Sequence, residues 1–302
     1  MISRYSAHGL TWIDLVSPTA DETAHIAEEF EIPSLVSQEL IDHTLRSKVD
    51  MYPSFLYLVL HFPLIDAEDK EQEVDFIVGE KFMITVRYEQ MRAIDSFAKI
   101  FERHTLGTQM AMTAHGTFLF MQLIKLLYRS LLHQLETMTD ELKHIESRIF
   151  TNNQVSIVRD ISRASRKLLD FKQSTRFHAE VLASYESASK RLFGDEYVYY
   201  GEVVNGEYKK VASILESHRD VVAELQRTND SLLSTKSNEI MKNFTIMTFV
   251  MLPLTLITGI FGMNTTSDLI FIKSIDSFFF VIGVMGITGL VLFLFFKLRR
   301  WI

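Results

Sequence analysis

The chain has 302 residues, of which 47% are hydrophobic, and it carries a formal net charge of −7 with no cysteine. Without cysteine it has no thiolate metal site, disulfide framework or cysteine nucleophile. Residues 242–302 hold five of the 31 basic and two of the 38 acidic residues, so the other 241 residues have a charge balance of −10. Such an acidic body attracts cations and repels nucleic acid, which is not expected as a partner.

The first 110 residues (1–110) are predicted to form an α/β domain in which helices cover a small sheet. Its opening MISRYSAHGLTW has no apolar h-region, so no secretory signal is expected. TWIDLV (11–16) has the composition of a strand. The S-P-T-A-D-E that follows predicts a helix to about Phe30, with Ser17 as its N-cap and Pro18 in its first position.

Three more segments of this domain are rich in β-forming residues and are separated by turn or charged residues. They are residues 51–65, 73–80 and 81–89. Helices are expected on either side of them, from Pro33 to about His43 and from about Met91. The alternation of strands and helices is typical of a mixed α/β layer structure.

Residues 111–206 are predicted to be a helical region. Its first helix covers residues 118–150, where apolar side chains recur at a helical spacing that gives one apolar face. These positions are 120, 123, 124, 127, 131, 135, 138, 142, 145 and 149. A second helix is expected over roughly 155–193, and the stretch from Gly194 to Gly206 is expected to end it.

A stalk helix is predicted over residues 207–242, and it can continue into the first membrane span, since no Gly or Pro follows Gly206 before Pro253. From 207 to 262 this helix would have 56 residues and a length of about 84 Å. Its apolar residues predict a packed stalk and therefore self-association. They are Val211, Ile214, Leu215, Val222, Leu225, Leu232 and Leu233.

Two runs without charge close the chain, 25 residues from Asn243 to Ser267 and 20 residues from Ser277 to Phe296. As a helix, each can cross the ~30 Å hydrocarbon core of a bilayer. They predict transmembrane helices at residues 243–262 and 277–296. The competing interpretation, two buried helices of a water-soluble core, is disfavoured because such helices rarely lack charge for so long.

The charges beside these spans predict their orientation. Basic residues flank the inner ends: Lys242 before the first span, and Lys297, Arg299 and Arg300 in the tail of residues 297–302. In the connecting loop, residues 263–276, Lys273 is balanced by two aspartates. The positive-inside rule then places both termini in the cytoplasm and the short loop outside.

One face of the first span collects most of its threonines at a 3.5-residue period. We call this face the seam; it consists of Asn238, Met241, Thr245, Thr248, Leu252, Thr255 and Gly259. Small residues on a membrane helix often mark close helix packing. The alternative is a pore wall, in which hydroxyls face water and Met241 and Leu252 form apolar constrictions that gate by dewetting. A pore requires several copies of the chain, and the two interpretations are compatible.

Neither span carries a charged side chain, whereas proton relays and dehydrating ion sites usually place Asp, Glu or His at depth. This composition favours an ion that crosses with much of its water and contacts neutral oxygens. Mg²⁺ fits, because it gives up its hydration shell reluctantly.

SNEIMKNFTIMTFVMLPLTLITGIFGMN (237–264), followed by a short loop, a second span and a basic tail, resembles the CorA family of divalent cation (magnesium) transporters and channels. The Gly-Met-Asn tripeptide is that family's signature. Its position after N-E-x-M-K and P-L-T, at the outer end of the first of two C-terminal spans, makes the resemblance specific. W-x-D-L followed by S-P-T, near the start of the chain, is a weaker match.

The resemblance implies a funnel-shaped homopentamer with an α+β cytoplasmic domain, long helices and two C-terminal transmembrane helices, the first of which lines a central pore. It implies a location in the inner membrane and a selectivity filter at Gly262, Met263 and Asn264, where a ring of Asn264 side chains at the periplasmic mouth binds a hydrated ion. Pore-lining positions carry over to Asn238, Met241, Thr248, Leu252 and Thr255. A hydrophobic gate is expected at Met241, Phe244 and Leu252; Phe244, Leu252 and Phe261 differ from the residues usual in the family but stay apolar.

The expected function is movement of hydrated Mg²⁺, with Co²⁺ and Ni²⁺ as further candidates, into the cytoplasm down its electrochemical gradient. The chain is not expected to be an enzyme or to hold a resident cofactor. Its expected partners are its own copies, the lipid bilayer and divalent cations. Two alternatives stay open. One is a ZntB-like zinc transporter of the same fold, which the methionine at position 263 disfavours. The other is a membrane-anchored scaffold that transports nothing.

A regulatory metal site for Mg²⁺ is placed at Asp66, Glu68 and Asp69, in the acid-rich stretch of residues 66–75. For this stretch, a solvated loop and strand edge is the favoured interpretation. His133 and His144 are expected to be surface residues.

Overall fold

The structure is a computed structural model that describes residues 1–44, 46–64, 71–102, 114–150, 154–262 and 275–299. The chain divides into two compact units, Met1–Gln226 (unit 1) and Arg227–Ile302 (unit 2). Unit 1 contains all the described strands and most of the helices. Unit 2 contains the end of one long helix and a second apolar helix.

Unit 1 is built on one six-stranded sheet. Its strands are β1 (Ile2–Ala7), β2 (Leu10–Val16), β3 (Lys48–Met51), β4 (Phe55–Pro63), β5 (Glu71–Gly79) and β6 (Phe82–Arg87). Their order in the sheet is β1-β2-β6-β5-β4-β3. Neighbouring strands are antiparallel, except for the parallel pair β2 and β6. The strands predicted at residues 11–16, 73–80 and 81–89 are therefore confirmed as β2, β5 and β6.

Helices cover both faces of this sheet, and β4 is consequently buried along its whole length. One face packs against α1 (Ala20–Glu29) and α2 (Ser34–Glu39) through an apolar cluster that includes Ile13, Val59 and Ile84. The other face packs against α3 (Arg92–Glu102), α4 (Gly116–Arg148), α5 (Gln154–Ser174) and α6 (His178–Phe193). An edge-to-face contact of Phe76 with Phe120, at 5.2 Å between ring centroids, joins β5 to α4. The predicted α+β class is confirmed.

The start of α1 differs from the prediction that Ser17 caps it and Pro18 opens it. The N-cap is Thr19, which forms a capping box: its hydroxyl accepts from the Glu22 N–H (3.3 Å), and the Glu22 carboxylate accepts from the Thr19 N–H (3.0 Å). Ser17 lies at a φ of 43° and donates its hydroxyl to the Tyr88 carbonyl. The prediction was wrong because serine favours turns and caps through the same local hydrogen bonds.

The helical region also differs in detail. All ten apolar positions predicted to form one face are buried, nine of them in α4 and the tenth at its C-cap, Ile149. The single helix predicted over 155–193 is two helices, α5 and α6. At their junction the hydroxyls of Ser174 and Thr175 bond back to the carbonyls of Asp170 and Phe171, a local alternative to continuing the helix.

The long helix α7 runs from Val198 to Gly262 and begins before Glu207, where the stalk was predicted to start. Gly201 and Gly206 lie inside it. Gly201 has a packing role, because a Cβ there would lie 3.1 Å from the Glu186 side chain. A second apolar helix, α8, covers Ile275–Leu298.

Four of the seven apolar stalk positions are buried inside unit 1. They are Val211, Leu215, Val222 and Leu225. Ile214 and Leu233 are exposed. At these four positions the apolar pattern reflects packing within one chain, whereas Leu232 and Leu233 lie in unit 2. Self-association stays a prediction.

Candidate ion pathway

Among the described residues, two helices are long and apolar enough to cross a membrane: the one that ends at Gly262, and Phe279–Leu298 of α8. Their most apolar windows are 0% and 6% buried. A core helix of a water-soluble protein would be largely covered by its own chain. These helices expose large apolar side chains instead, as a bilayer-spanning segment does.

The membrane part of α7 has a covered face and an open face. On the covered face Ile246 is buried, and Val250, Pro253 and Ile257 are half-buried. The Phe249 ring meets the Phe296 ring of α8 edge to face, with 6.4 Å between centroids. The seam lies on the opposite side of α7, given 100° of helical rotation per residue. Among its residues only Thr245 is half-buried, and the others are exposed.

Threonine hydroxyls on this span bond to their own helix. Thr245 donates to the Met241 carbonyl (2.8 Å), Thr248 to Phe244 (2.9 Å) and Thr255 to Met251 (2.9 Å). Each threonine hydroxyl donates its one hydrogen in this bond, so the lone pairs of its oxygen remain available to accept hydrogen bonds. The open face therefore presents oxygen acceptors without a charge, which suits contact with the water shell of a cation.

A shallow groove follows part of the open face. It is lined by Met247, Thr248, Met251, Leu252, Thr255, Leu256, Gly259 and Ile260. Four seam residues contribute to it, while Asn238, Met241 and Thr245 lie outside it. A Cβ at Gly259 would have no neighbouring atom within 4 Å, so the glycine leaves the groove floor low and open.

The three gate residues of the prediction are all exposed in the single chain: Met241 is 65% exposed, Phe244 63% and Leu252 64%. No other part of the described chain packs over them. Their side chains are therefore free to meet equivalent side chains of neighbouring copies.

The predicted filter lies at the end of α7. Gly262 is the last described residue of that helix; it is exposed, and a Cβ there would have no neighbouring atom within 4 Å. Met263 and Asn264 lie outside the described residues, as do Asp66, Glu68 and Asp69 of the predicted regulatory site. Within the described ranges no group of three or more His, Asp or Glu side chains could hold a metal ion.

The acid-rich stretch continues into the sheet, where Glu73 and Asp75 were predicted to be solvated. That prediction is wrong, because both are buried on β5, an interior strand. Both carboxylate oxygens of Glu73 accept the Thr44 N–H, at 3.0 and 2.8 Å. His61 Nε2 donates to the Thr44 carbonyl (2.9 Å) and lies 3.7 Å from Glu73. Asp75 accepts the Tyr57 hydroxyl at 3.1 Å.

The two carboxyls of this pair differ in pKa. Burial and the neighbouring Glu73 carboxylate raise the pKa of Asp75 well above its ordinary value. Burial opposes ionisation of Glu73, but hydrogen bonds from His61, Asp75 and the Thr44 backbone outweigh it and lower the pKa. Of the two carboxyls, Asp75 is therefore the one that binds a proton more readily, and Glu73 holds the segment around Thr44 to β5 through its hydrogen bonds. It is a structural clamp in this chain and not an assembled metal site.

A second buried network was missed by the sequence interpretation. The Arg87 guanidinium binds the Asp14 carboxylate at 2.9 Å and Asp95 at 2.7 Å. Asp14 also accepts the Thr85 hydroxyl (2.7 Å), which in turn accepts from the Trp12 indole N–H (3.1 Å). The W-x-D pattern could have indicated this network. It places Trp12 and Asp14, which both carry hydrogen-bonding groups, on the same face of a strand whose other residues are mostly apolar.

The chain is similar to known proteins over nearly its whole length. A family model described as "CorA-like Mg2+ transporter protein" matches residues 7–300. The cobalt/magnesium transport protein CorA of Thermotoga maritima is 25% identical over 296 residues, which are 97% of this chain and 83% of that protein.

Two solved structures have the same fold. The complete structure of the CorA magnesium transporter from Methanocaldococcus jannaschii aligns with a TM-score of 0.84 and 21% identity, over 97% of this chain and 92% of that one. The ZntB cytoplasmic domain from Vibrio parahaemolyticus aligns with a TM-score of 0.60 and 14% identity, over 75% of this chain and 88% of that domain. At these identities the likeness establishes the fold.

Proposed function

The chain belongs to the family of CorA-like Mg²⁺ transporter proteins, whose members transport divalent cations, and on that premise we propose that it is a channel for hydrated Mg²⁺. The observation that carries the proposal is the open face of α7. It combines back-bonded threonine hydroxyls with exposed apolar residues and is charge-free from Asn243 to Gly262. Co²⁺ and Ni²⁺ are further candidate ions.

The lack of charge on this face supports passage with water attached. Removing water from Mg²⁺ needs fixed anionic oxygens, and none stands on the span. Neutral hydroxyl oxygens offer hydrogen-bond acceptors to the ion's first-shell waters instead. The ion thus avoids the cost of dehydration, and selection depends on the size and hydrogen bonding of the hydrated complex.

One helix cannot enclose a pore, so the channel is proposed to be a homopentamer, as the family resemblance implies. The open faces of five α7 helices would line the pore, with α8 on the covered side of each. Asn238, Met241, Thr245, Thr248, Leu252, Thr255 and Gly259 are the proposed pore-lining residues. Met241, Phe244 and Leu252 form the proposed hydrophobic gate, because rings of exposed apolar side chains expel water when they close.

Selectivity is proposed to reside in Gly262, Met263 and Asn264. A ring of Asn264 amides would present neutral oxygens to the waters around the ion. Both termini are proposed to lie on the cytoplasmic side of the inner membrane, so this ring of Asn264 side chains would lie at the periplasmic mouth of the pore. A membrane potential of 100 mV, negative inside, then contributes about 2 × 2.3 kcal/mol to uptake of a divalent ion. A regulatory Mg²⁺ site at Asp66, Glu68 and Asp69 belongs to the same proposal.

Ion flux into proteoliposomes tests this function. Purified full-length chain is reconstituted with a Mg²⁺ dye inside, and Mg²⁺, Co²⁺, Ni²⁺ or Zn²⁺ is added outside. Mg²⁺ influx that Asn264→Ala abolishes supports the proposed filter. The matched control is Asn243→Ala, the same substitution at the other end of the span and away from the seam, which should leave influx intact.

The same experiment decides between the alternatives. Zn²⁺ influx coupled to a pH change inside the vesicles, with no Mg²⁺ influx, would establish the zinc transporter. If crosslinking shows that the protein is assembled and no ion enters the vesicles, the non-transporting scaffold is the alternative that remains. Equal Mg²⁺ influx in wild type and Asn264→Ala would overturn the filter while preserving the channel.

A further inference from the structure

A pocket between the two helices of unit 2 has no role in the proposed ion pathway. It is lined by Phe249 of α7, by Phe295 and Phe296 near the end of α8, and by Arg299 just beyond that helix. Its volume is about 420 Å³. Its walls lie on the covered side of α7, away from the seam, so a pore along the seam does not explain it.

The floor of the pocket is aromatic. Phe296 is buried, and its ring makes edge-to-face contacts with Phe249 at 6.4 Å and with Phe295 at 5.6 Å. Phe249 and Phe295 are 60% and 52% exposed, so the other sides of their rings are open. Three phenylalanines arranged this way give an apolar surface that favours a hydrocarbon chain.

The rim of the pocket carries a cation. The Arg299 guanidinium lies 6.0 Å from the Phe295 ring centroid, and its backbone N–H donates to the Phe295 carbonyl (3.1 Å). No carboxylate of the described residues forms a salt bridge with it. An apolar floor with one guanidinium at its edge matches an amphiphile whose head is anionic.

A second copy of the chain fits this pocket less well. The spans of residues 243–262 and 277–296 contain no carboxylate, so a neighbouring span packed on the three rings would bring no counterion for Arg299, which follows the second span. A phospholipid brings both parts, an acyl chain for the rings and a phosphate for the guanidinium. The positive-inside orientation places this end of α8 at the cytoplasmic leaflet, where such lipids are available.

We propose that the pocket formed by Phe249, Phe295, Phe296 and Arg299 binds one anionic phospholipid per chain, with an acyl chain on the rings and the phosphate on Arg299. The proposal rests on the proposed membrane orientation and is independent of which ion is transported. The bound lipid covers the outer side of the α7–α8 contact and ties the two helices together at their cytoplasmic ends.

Native mass spectrometry of the delipidated full-length protein tests the site. Phosphatidylglycerol or phosphatidylcholine with identical acyl chains is titrated in detergent, and bound lipids per chain are counted. Wild type should prefer phosphatidylglycerol, and Arg299→Gln should lower that affinity about fivefold without changing phosphatidylcholine binding. Phe295→Ala should weaken both lipids, because it removes the acyl surface.

Lys297→Gln is the matched control, since it removes one cation from the same tail at a residue that does not line the pocket. It should retain at least most of the preference. An equal loss in Lys297→Gln and Arg299→Gln would overturn the proposal in favour of general surface charge. Displacement of the lipid by inorganic phosphate would show an anion site and not a lipid site. Because no flux is measured, loss of lipid binding and loss of transport are separate outcomes.

Discussion

Unit 1 and unit 2 differ in how much of their apolar surface is buried within the chain. In unit 1 the sheet is covered on both faces by the unit's own helices, and even the buried charges of Asp14 and Arg87 find partners inside it. In the described part of unit 2 only Ile246 and Phe296 are buried hydrophobic residues, and most of the others are exposed. The core of unit 1 is therefore covered within the chain. Unit 2 exposes its apolar side chains as a bilayer-spanning segment does.

The sharpest way to break unit 1 is to remove the cation of its buried network. Arg87→Met leaves the Asp14 carboxylate buried without a counterion, and we expect a loss of about 3–5 kcal/mol in the free energy of unfolding. Urea unfolding of the full-length protein in detergent, followed by Trp12 fluorescence in a Trp301→Phe background, measures it. Arg4→Met, which removes an exposed pair with Glu29, should cost under about 1 kcal/mol. Similar losses for the two variants would contradict the assigned role of burial.

The next effect is a dependence of unit 1 on pH through His178. This side chain is fully buried between the Tyr128 hydroxyl (2.9 Å) and the His61 carbonyl (2.8 Å), and burial lowers its pKa from 6.5 to about 4. The folded state thus binds fewer protons than the unfolded state between these values. Stability is full above pH 6.5 and falls as the pH drops towards 4, by about 3 kcal/mol.

Urea midpoints at pH 7, 6 and 5 measure this slope. His178→Gln keeps a donor for the His61 carbonyl but has no titration, so its stability should fall less steeply than that of wild type. His133→Gln changes an exposed histidine and should retain the wild-type slope. Identical slopes for wild type and His178→Gln would show that His178 does not govern the acid sensitivity.

A smaller effect, with the opposite sign, is expected at Asp75. The pKa of Asp75 is raised in the folded state. The folded protein therefore keeps this proton to a higher pH than the unfolded chain does. Stability from this residue is therefore highest at low pH and declines as the pH rises. Asp75→Asn removes that cost, keeps an acceptor for Tyr57 and supplies a donor to Glu73.

We expect Asp75→Asn to stabilise unit 1 at pH 8 by about 1 kcal/mol, measured by the same urea unfolding. Asp140→Asn, at an exposed carboxylate, should change stability little. A clear destabilisation by Asp75→Asn at pH 8 would mean that the folded protein requires the ionised carboxylate.

The smallest effect on stability is expected on the open face of unit 2, where no packing is lost. Thr248→Val should leave urea unfolding of unit 1 within about 0.5 kcal/mol of wild type. It should nevertheless slow Mg²⁺ influx into proteoliposomes, since it removes one oxygen per chain from the proposed pore. Thr258→Val is the same change beside the seam and should preserve flux. Equal flux in wild type and Thr248→Val would remove this threonine from the pore lining.

The residues that sequence patterns located best were those in long periodic segments. The apolar face of α4 followed from its helical spacing, and the strands β2, β5 and β6 followed from their β-rich composition between turn or charged residues. The cap of α1 and the break between α5 and α6 did not, since serine and threonine use the same short hydrogen bonds in caps, turns and helices. For the candidate site, the seam could be selected by its period, but its separation from the covered face required the position of Phe296.

The sequence by itself determined that two charge-free segments end the chain, that a polar seam runs along the first, and that Gly-Met-Asn follows it, because these depend only on composition and helical period. The tertiary structure decided which residues are buried. Glu73 and Asp75, predicted to be solvated, are buried on β5, and Leu215 and Leu225 of the stalk are buried within unit 1. Spacing along one chain gives the face on which a side chain lies, whereas only packing shows what covers that face.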